Sequence, residues 1–283
     1  MTDFETYLEQ FIDNAIREDV GDGDHSSLSC IPAEAIGKAQ LIVKENGILA
    51  GVDVAQKVFL KLDPDTEFVK FINDGTAVKK GDIAFKVKLH TRALLLAERL
   101  VLNIMQHMSG IATATNVYVK RLEGTHTHVL DTRKTTPGMR LLDKLAVKIG
   151  GGVNHRIGLF DMIMLKDNHN DFAGGIPQAI QRAKDYLKAN NKDLKIEVEV
   201  RNLDELQQVM QAGGVFRIML DNFDIETTKK AVKIINGQYE TESSGGITLD
   251  TLRDYAECGV DYISVGALTH HVNSLDMSLK ACE

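Results

Sequence analysis

From residue 125 onward the chain alternates between short apolar runs of β type and amphipathic segments of helical period. The runs are THVLDTRK (127–134), DMIMLKDNH (161–169), KIEVEVRN (195–202), FRIMLDN (216–222), YETESSGG (239–246) and VDYISVGA (260–267). Between them lie segments such as IPQAIQRAKDYLKAN and LDELQQVMQAGG. A chain that repeats strand, helix, strand places its strands in parallel, because a crossover helix returns it to the same end of the sheet. Six such units without a Gly-x-Gly-x-x-Gly turn favour a closed α/β barrel over an open doubly wound sheet.

Upstream the period is different. Phe4, Leu8, Phe11, Ile12, Ala15 and Ile16 fall at helical spacing, and this first helix is predicted to end at EDVGDGDHSS (18–27). Asp19, Asp22 and Asp24 lack a glutamate at calcium-loop spacing, so the stretch reads as a polar turn. Residues 38–89 read as short antiparallel strands in a sandwich-like region. AQLIVKE and GILAG flank Asn46-Gly47, a hairpin signal. FVKFIND leads to Asp74-Gly75, and IAFKVKL follows Lys80-Gly81-Asp82. From Arg92, RALLLAERLVLNIMQHMSGIATATNVYVKRL is apolar all round, which predicts a long, largely buried helix or a broken pair. Arg99 is a cation inside that apolar stretch. The change of domain falls within 105–125, which gives an N-terminal α/β sandwich domain over 1–112 and a barrel domain over 113–283.

A length of 283 residues fits one barrel plus an appendage. The net charge of −7 argues against a nucleic-acid protein. The segment 131–167 runs against that sign, with seven Arg/Lys (133, 134, 140, 144, 148, 156, 166) against four Asp (131, 143, 161, 167). A local cluster of this kind suits a small anion. Cys30, Cys258 and Cys282 are far apart and fit neither a disulfide framework nor a zinc site, so a reducing compartment is expected. MTDFETYLEQ is acidic and unlike a signal peptide, and no apolar run approaches the roughly 20 residues needed to span a bilayer. The expected location is cytoplasmic, with no membrane partner.

The strand ends carry the chemistry. They read Asp131-Thr132-Arg133-Lys134, Lys166-Asp167-Asn168-His169, Glu197 and Glu199 before Arg201, Asp221-Asn222, Ser243-Ser244-Gly245-Gly246, and Gly266-Ala267. In an α/β barrel these ends converge on one mouth. Arg133, Arg156 and Lys166 suit carboxylate or phosphate. Glu199 and Asp221 offer hard oxygens for Mg²⁺ or for ribose hydroxyls. The glycine pairs let backbone N–H groups approach an anion. The loop GGGVNHR (150–156) delivers His155 and Arg156 together. Two readings remain open from these residues beside anion binding for catalysis: a Schiff-base aldolase using Lys166 or Lys134, and a non-catalytic binding module.

Across nearly the whole chain, nine motifs in order resemble one family. They are EDVGDGDHSS, ERLVLNIMQHMSGIAT, DTRKTTPGMR, GGGVNHR, MLKDNH, EVEV, MLDNF, SSGGI and ISVGALTH. The family is quinolinate phosphoribosyltransferase, also called nicotinate-nucleotide pyrophosphorylase (carboxylating). The resemblance implies an N-terminal α/β sandwich followed by an incomplete barrel. It implies a homodimer in which each N-terminal domain caps the partner's barrel mouth, with Arg99 lent across the interface. By the same resemblance Arg133, His155, Arg156 and Lys166 match the quinolinate-binding cations. Lys134, Glu199 and Asp221 match residues around the phosphoribosyl group and the metal, with Mg²⁺ as the cofactor. Ser244, Gly245, Gly246 and Gly266 match the 5′-phosphate loops, Thr135 and Ala267 join the substrate-binding set, and Arg140 reaches the active site of the neighbouring subunit. The implied reaction joins quinolinate to phosphoribosyl pyrophosphate with loss of CO₂; the rival within the resemblance is a relative that uses nicotinate or another base without decarboxylation, against which the larger cation clamp speaks.

Overall fold

The structure is a computed structural model that describes residues 4–283. The chain divides into two compact units, one of Met1–Asn116, Thr135–Gly151 and Leu268–Glu283, the other of Val117–Lys134 and Gly152–Ala267.

In the first unit, α1 (Phe4–Val20) buries Leu8 and Ile12. The helix stops at Gly21, where φ is +56°. Asp24 then caps α2 (His25–Cys30), its carboxylate accepting the Ser27 N–H at 3.2 Å. Residues 18–27 therefore stop one helix and start another. The chain continues through β1 (Ile36–Val43), β2 (Gly47–Ile48), α3 (Val52–Leu62), β3 (Glu67–Lys70), β4 (Ala77–Val78) and β5 (Ile83–His90). The final strand, β12 (Met277–Ala281), returns to this unit and completes an antiparallel sheet of order β12-β1-β5-β3.

Two local expectations fail here. The Asn46-Gly47 turn does not make a hairpin: β1 is already paired on both edges, by β12 and β5, and β2 pairs with β4 instead. The Asn46 side chain accepts the Lys80 N–H at 3.1 Å. Residues 52–62 are helix, not strand. Their apolar positions Val52, Ala55, Val58, Phe59 and Leu62 have a helical period, and α3 lays Phe59 against Phe68 and Phe85 at centroid distances of 6.2 and 6.0 Å.

α4 (Thr91–Arg121) is one unbroken helix of 31 residues. The 112/113 boundary read from the sequence falls inside it. At Gly110 a Cβ would lie 2.3 Å from the Asn273 carbonyl oxygen, so only glycine fits that turn of the helix. No described helix is long and apolar enough to cross a membrane.

The second unit realises all six β-type runs: β6 (His128–Leu130), β7 (Ile163–Leu165), β8 (Ile196–Val200), β9 (Arg217–Asp221), β10 (Glu240–Ser244) and β11 (Tyr262–Ser264). The helix α5 (Arg140–Ile149), which lies between β6 and β7 in sequence, belongs to the first unit. After β7 come α6 (Asp167–Ala173) and α7 (Ile176–Ala189); α8 (Leu203–Ala212) follows β8, α9 (Ile225–Ile235) follows β9, and α10 (Leu252–Ala256) follows β10. All the strand pairs are parallel, in the order β6-β11-β10-β9-β8-β7. The first strand pairs with the last, which an open doubly wound sheet does not do. No ladder among the described residues joins β6 to β7, so the ring is open at one seam. Residue Val153 lies along the β6 edge in an isolated parallel bridge with Leu130.

Barrel interiors are normally filled by layers of Val, Ile and Leu. Here Ile196, Val198 and Val200 alternate with Glu197 and Glu199 along a strand buried over its full length. With a side-chain period of two, the two glutamates share one face. Glu197 and Glu242 are wholly buried, and Arg217 nearly so.

Candidate active site

Parallel strands bring their C-terminal ends to one side of the second unit. Arg133 and Lys134 follow β6, Lys166 follows β7, Glu199 lies near the end of β8, Asp221 ends β9 and Ser244 ends β10. Two like-charged pairs stand here, one of which takes its second member, Arg156, from the loop after Val153.

The first pair is cationic. Arg156 is only 7% exposed, and its Nη1 donates to the Met162 carbonyl at 3.1 Å. Burial pushes the Arg156 pKa down, and the charge of Arg133 pushes it further, against the pull of Glu197 and Asp161. Arg133 itself is exposed.

The second pair is anionic. The pKa of Glu199 is raised, first by burial and then by the charge of Asp221, while Lys166 opposes the rise. Lys166 Nζ lies 3.9 Å from Glu199 Oε2. Its position is set by the start of α6, where His169 Nδ1 accepts the Lys166 N–H at 3.0 Å. Asp221 is oriented by a residue to which the sequence reading gave no role. Asn222, at φ +54°, donates from Nδ2 to Asp221 Oδ2 at 2.7 Å and from its backbone N–H to the Ser244 carbonyl at 2.8 Å. The signal was available: asparagine tolerates the left-handed region better than most residues.

Gly245 completes this corner. Its φ is +99°, and a Cβ there would lie 2.2 Å from Asn222 Oδ1. At Gly246, with φ +60°, a Cβ would meet nothing within 4 Å, so this stretch of backbone faces open space. Ser244, Gly245 and Gly246 thus form a bare turn beside the carboxylate pair. Gly266 and Ala267 follow β11 at the end of the same unit. Arg201 is otherwise engaged: Asp171 accepts from both its terminal nitrogens at 3.1 and 3.0 Å, and Glu205 holds its Nε at 2.8 Å.

His155, expected among the substrate-facing cations, has its ring buried inside the unit. Nε2 lies 3.0 Å from Glu197 Oε2 and 3.4 Å from Glu242 Oε2. Burial lowers the ring's pKa, and the two carboxylates more than offset that and raise it. Geometry limits how far the second proton goes on, because Nδ1 accepts the Arg156 N–H at 2.7 Å and so stays bare. Burial raises Glu197, and the charge of Glu242 raises it further. For Glu242, His155 and Arg217 outweigh burial and hold the carboxyl low.

Arg99, Thr135 and Arg140 belong to the first unit. Arg99 is exposed and lines a cavity of about 740 Å³ together with Tyr7, Asn103, His107 and Met139. The Thr-Thr-Pro-Gly turn is tied down within this unit. Arg140 Nε donates to Thr135 Oγ1 at 3.1 Å, and Tyr7 Oη donates to the Gly138 carbonyl. The buried Asp143 accepts the Thr136 N–H at 2.8 Å and pairs with His107 Nε2 at 2.7 Å. The parts played by Tyr7, His107 and Asp143 were not legible from the sequence, since these contacts join distant segments.

Residues 24–109 match the family model described as quinolinate phosphoribosyl transferase, N-terminal domain, and residues 111–280 match its C-terminal domain. The chain is 43% identical over 289 residues to quinolinate phosphoribosyltransferase [decarboxylating] 2, mitochondrial, of Nicotiana glauca, covering 96% of this chain and 82% of that protein. It is 40% identical over 272 residues to the probable nicotinate-nucleotide pyrophosphorylase [carboxylating] of Bacillus subtilis (strain 168), covering 96% of this chain and 92% of that one. Its fold matches the crystal structure of NadC from Streptococcus pyogenes with a TM-score of 0.92, at 38% identity over the full length of both chains.

Proposed function

The chain belongs to the quinolinate phosphoribosyltransferase family, and we propose how its residues carry out the family's reaction. The enzyme transfers phosphoribosyl from phosphoribosyl pyrophosphate to quinolinate with decarboxylation. The products are nicotinate mononucleotide, pyrophosphate and CO₂, and the reaction serves NAD biosynthesis. One observation supports the assignment of roles above the others: the second unit sets a cation, Arg156, against the like charge of Arg133 and a carboxylate, Glu199, against that of Asp221. The first suits a dianion, and the second suits a cation or a carbon that becomes positive.

In this reading Arg133, Arg156 and Lys166 clamp the two quinolinate carboxylates, so that the ring nitrogen faces the anomeric carbon. The nitrogen lone pair forms the new N–C bond. The old C–O bond breaks, and its electron pair leaves with pyrophosphate. Glu199 and Asp221 stabilise the positive charge that builds on the ribose. Lys134 neutralises phosphate nearby, and Ser244, Gly245, Gly246, Gly266 and Ala267 hold the 5′-phosphate through backbone N–H groups. The pyridinium then accepts the electron pair of the breaking C–CO₂ bond, and a proton replaces the carboxylate.

Mg²⁺ fits the donor set. Glu199 and Asp221 offer hard oxygens from the paired strands β8 and β9, and burial together with the charge of Asp221 raises Glu199. Magnesium is usually bound by one or two carboxylates plus substrate phosphates. When bound it supplies charge neutralisation on the departing pyrophosphate.

The homodimer is part of the proposal, with Arg99, Thr135 and Arg140 acting on substrate from its assembled form. Arg99 supports this by standing exposed at the edge of a cavity. The cytoplasm is the proposed compartment, supported by three free cysteines. The test of the reaction is direct. Protein is incubated with phosphoribosyl pyrophosphate, Mg²⁺ and quinolinate labelled at the 2-carboxylate, or separately with nicotinate. Labelled CO₂ with nicotinate mononucleotide from quinolinate alone is the expected result. Turnover of nicotinate instead refutes the named substrate.

A further inference from the structure

The interior of the second unit holds charges that the reaction does not consume. His155 Nε2 stands over Glu197 and Glu242 at 3.0 and 3.4 Å. Arg217 Nη1 reaches Glu242 Oε2 at 3.1 Å, and its Nη2 reaches Glu240 Oε2 at 2.8 Å. Buried ions cost stability unless they are paired, so such a cluster calls for a reason.

One histidine and two glutamates within 4.8 Å of one another have the composition of a metal site. The bonding excludes that use. His155 Nδ1 accepts the Arg156 N–H at 2.7 Å, so it carries no proton. The ring's proton is therefore on Nε2, the atom that faces both carboxylates. A metal there would need Nε2 bare. Arg217 also already occupies Glu242 Oε2.

What the cluster does hold is the backbone at residues 155 and 156. Asp131 Oδ1, fully buried, accepts the His155 N–H at 2.8 Å. His155 Nδ1 accepts the next N–H along the chain. Arg156 then extends to the Met162 carbonyl. The arginine is fixed at its root by the His155 ring and at its tip by a carbonyl. We propose that His155 is a positioning residue: Glu197 and Glu242 anchor its ring from inside the barrel, and the ring aims Arg156 at the quinolinate carboxylates without touching substrate itself. This rests on the quinolinate reading above. Arg156 sits beside a like charge, and without the anchor it would swing away from Arg133. Misplacement by about 1 Å can cost on the order of 100-fold in rate or binding.

The experiment is steady-state kinetics with each substrate varied, on wild type, Glu197→Gln, His155→Ala, His155→Asn and Glu240→Gln, and on Glu197→Gln in an Arg156→Ala background. Wild-type turnover of quinolinate is the entry condition, and its failure would sink the substrate reading, not the positioning role. Glu197→Gln is expected to raise the quinolinate KM about 10-fold, the loss of one buried charged contact, and to leave the phosphoribosyl pyrophosphate KM within about twofold. Glu240→Gln, at the partly exposed end of the cluster, leaves both unchanged. His155→Asn, which is neutral but keeps an acceptor for the Arg156 N–H, recovers part of the affinity lost in His155→Ala. With Arg156 already removed, Glu197→Gln adds nothing.

Three results would overturn the proposal. The first is His155→Asn as damaging as His155→Ala while Glu197→Gln is silent, which would make the ring a cationic substrate contact. The second is a full Glu197→Gln effect in the Arg156→Ala background. The third is an equal rise in both KM values, which marks general disorder of the barrel. If the Glu197 variant does not fold, ¹⁵N spectra of the wild-type histidines decide. The Nε2–H form of His155 should persist on saturation with quinolinate, and protonation at Nδ1 on binding would refute the role.

Discussion

Arg133→Ala separates binding from stability, because the two should move in opposite directions. Arg133 raises the energy of the substrate-free protein by repelling the buried guanidinium of Arg156. It is exposed, so solvent screens most of that repulsion, and about 0.5–1 kcal/mol is a reasonable size. Removing it should stabilise the ligand-free protein by that amount and raise Tm by about 1–3 °C for a chain of this length. The same change removes a charge-assisted contact to a quinolinate carboxylate, worth about 1.5–3 kcal/mol. The quinolinate KM should then rise about 10- to 150-fold, with the phosphoribosyl pyrophosphate KM unchanged. Calorimetry without ligand, at low and at high salt, measures the first effect, and the gain in Tm should shrink as salt screens the pair. Kinetics with each substrate varied measures the second. A fall in Tm would show that Arg133 holds the fold together. Equal losses for both substrates would refute its place in a quinolinate clamp.

Glu199→Gln should act in the same double manner. The folded pKa of Glu199 is raised, so the folded state favours the protonated form, and stability is lost as pH rises through that value. The variant should therefore be more stable than wild type at pH 7, by thermal unfolding, while its activity falls by at least 100-fold. The stability gain should vanish at pH values below the ordinary glutamate range, and a loss of stability at pH 7 would count against the reading. Mixing Arg99→Ala chains with Lys134→Ala chains should restore activity in heterodimers isolated with two affinity tags, and no recovery there would refute action in trans. Gly245→Ala forces a Cβ onto Asn222 from a left-handed backbone. It should lower kcat at least 10-fold through Asp221 while leaving the quinolinate KM within threefold, and an unchanged kcat would show that the Asn222 contact is dispensable.

The barrel was legible because its signal is periodic and repeated. Each of the six β-type runs holds a strand, since alternation between short apolar runs and amphipathic helices leaves few other topologies. The first unit was read less well for physical reasons. Asn46-Gly47 has hairpin chemistry, yet the edges of β1 are taken by strands from residues 83–90 and 277–281. α3 lies in a stretch rich in Val and Phe, whose β-type composition hid the helical spacing of Val52, Ala55, Val58 and Phe59. At the site, residue type and strand position singled out the charged groups. Their pairing could not be read, because Arg133 with Arg156 and Glu199 with Asp221 are 22 or more positions apart. The orientation of His155 was also hidden. A histidine next to an arginine in a glycine-rich loop looks the same in sequence whether its ring turns to the mouth or to Glu197.

Glu197 and Glu199 bring these threads together. They are two residues apart on β8, so a strand of fixed register must send both to the same face. One stands at the rim beside Asp221 and Lys166. The other lies a layer below, against His155 and Glu242. A slip of one residue would put Val198 and Val200 inside and expel both carboxylates. The buried cluster and the rim are therefore specified by a single register. The interior ions hold the mount on which the rim charges repel one another. A site whose own charges repel in the absence of substrate must be kept from relaxing, or the repulsion would be lost as disorder before any ligand arrived. A barrel packed only with aliphatic layers would supply rigidity but no acceptor for the Arg156 N–H. The polar interior supplies both, and its cost in desolvation is set against electrostatics already arranged for the transition state.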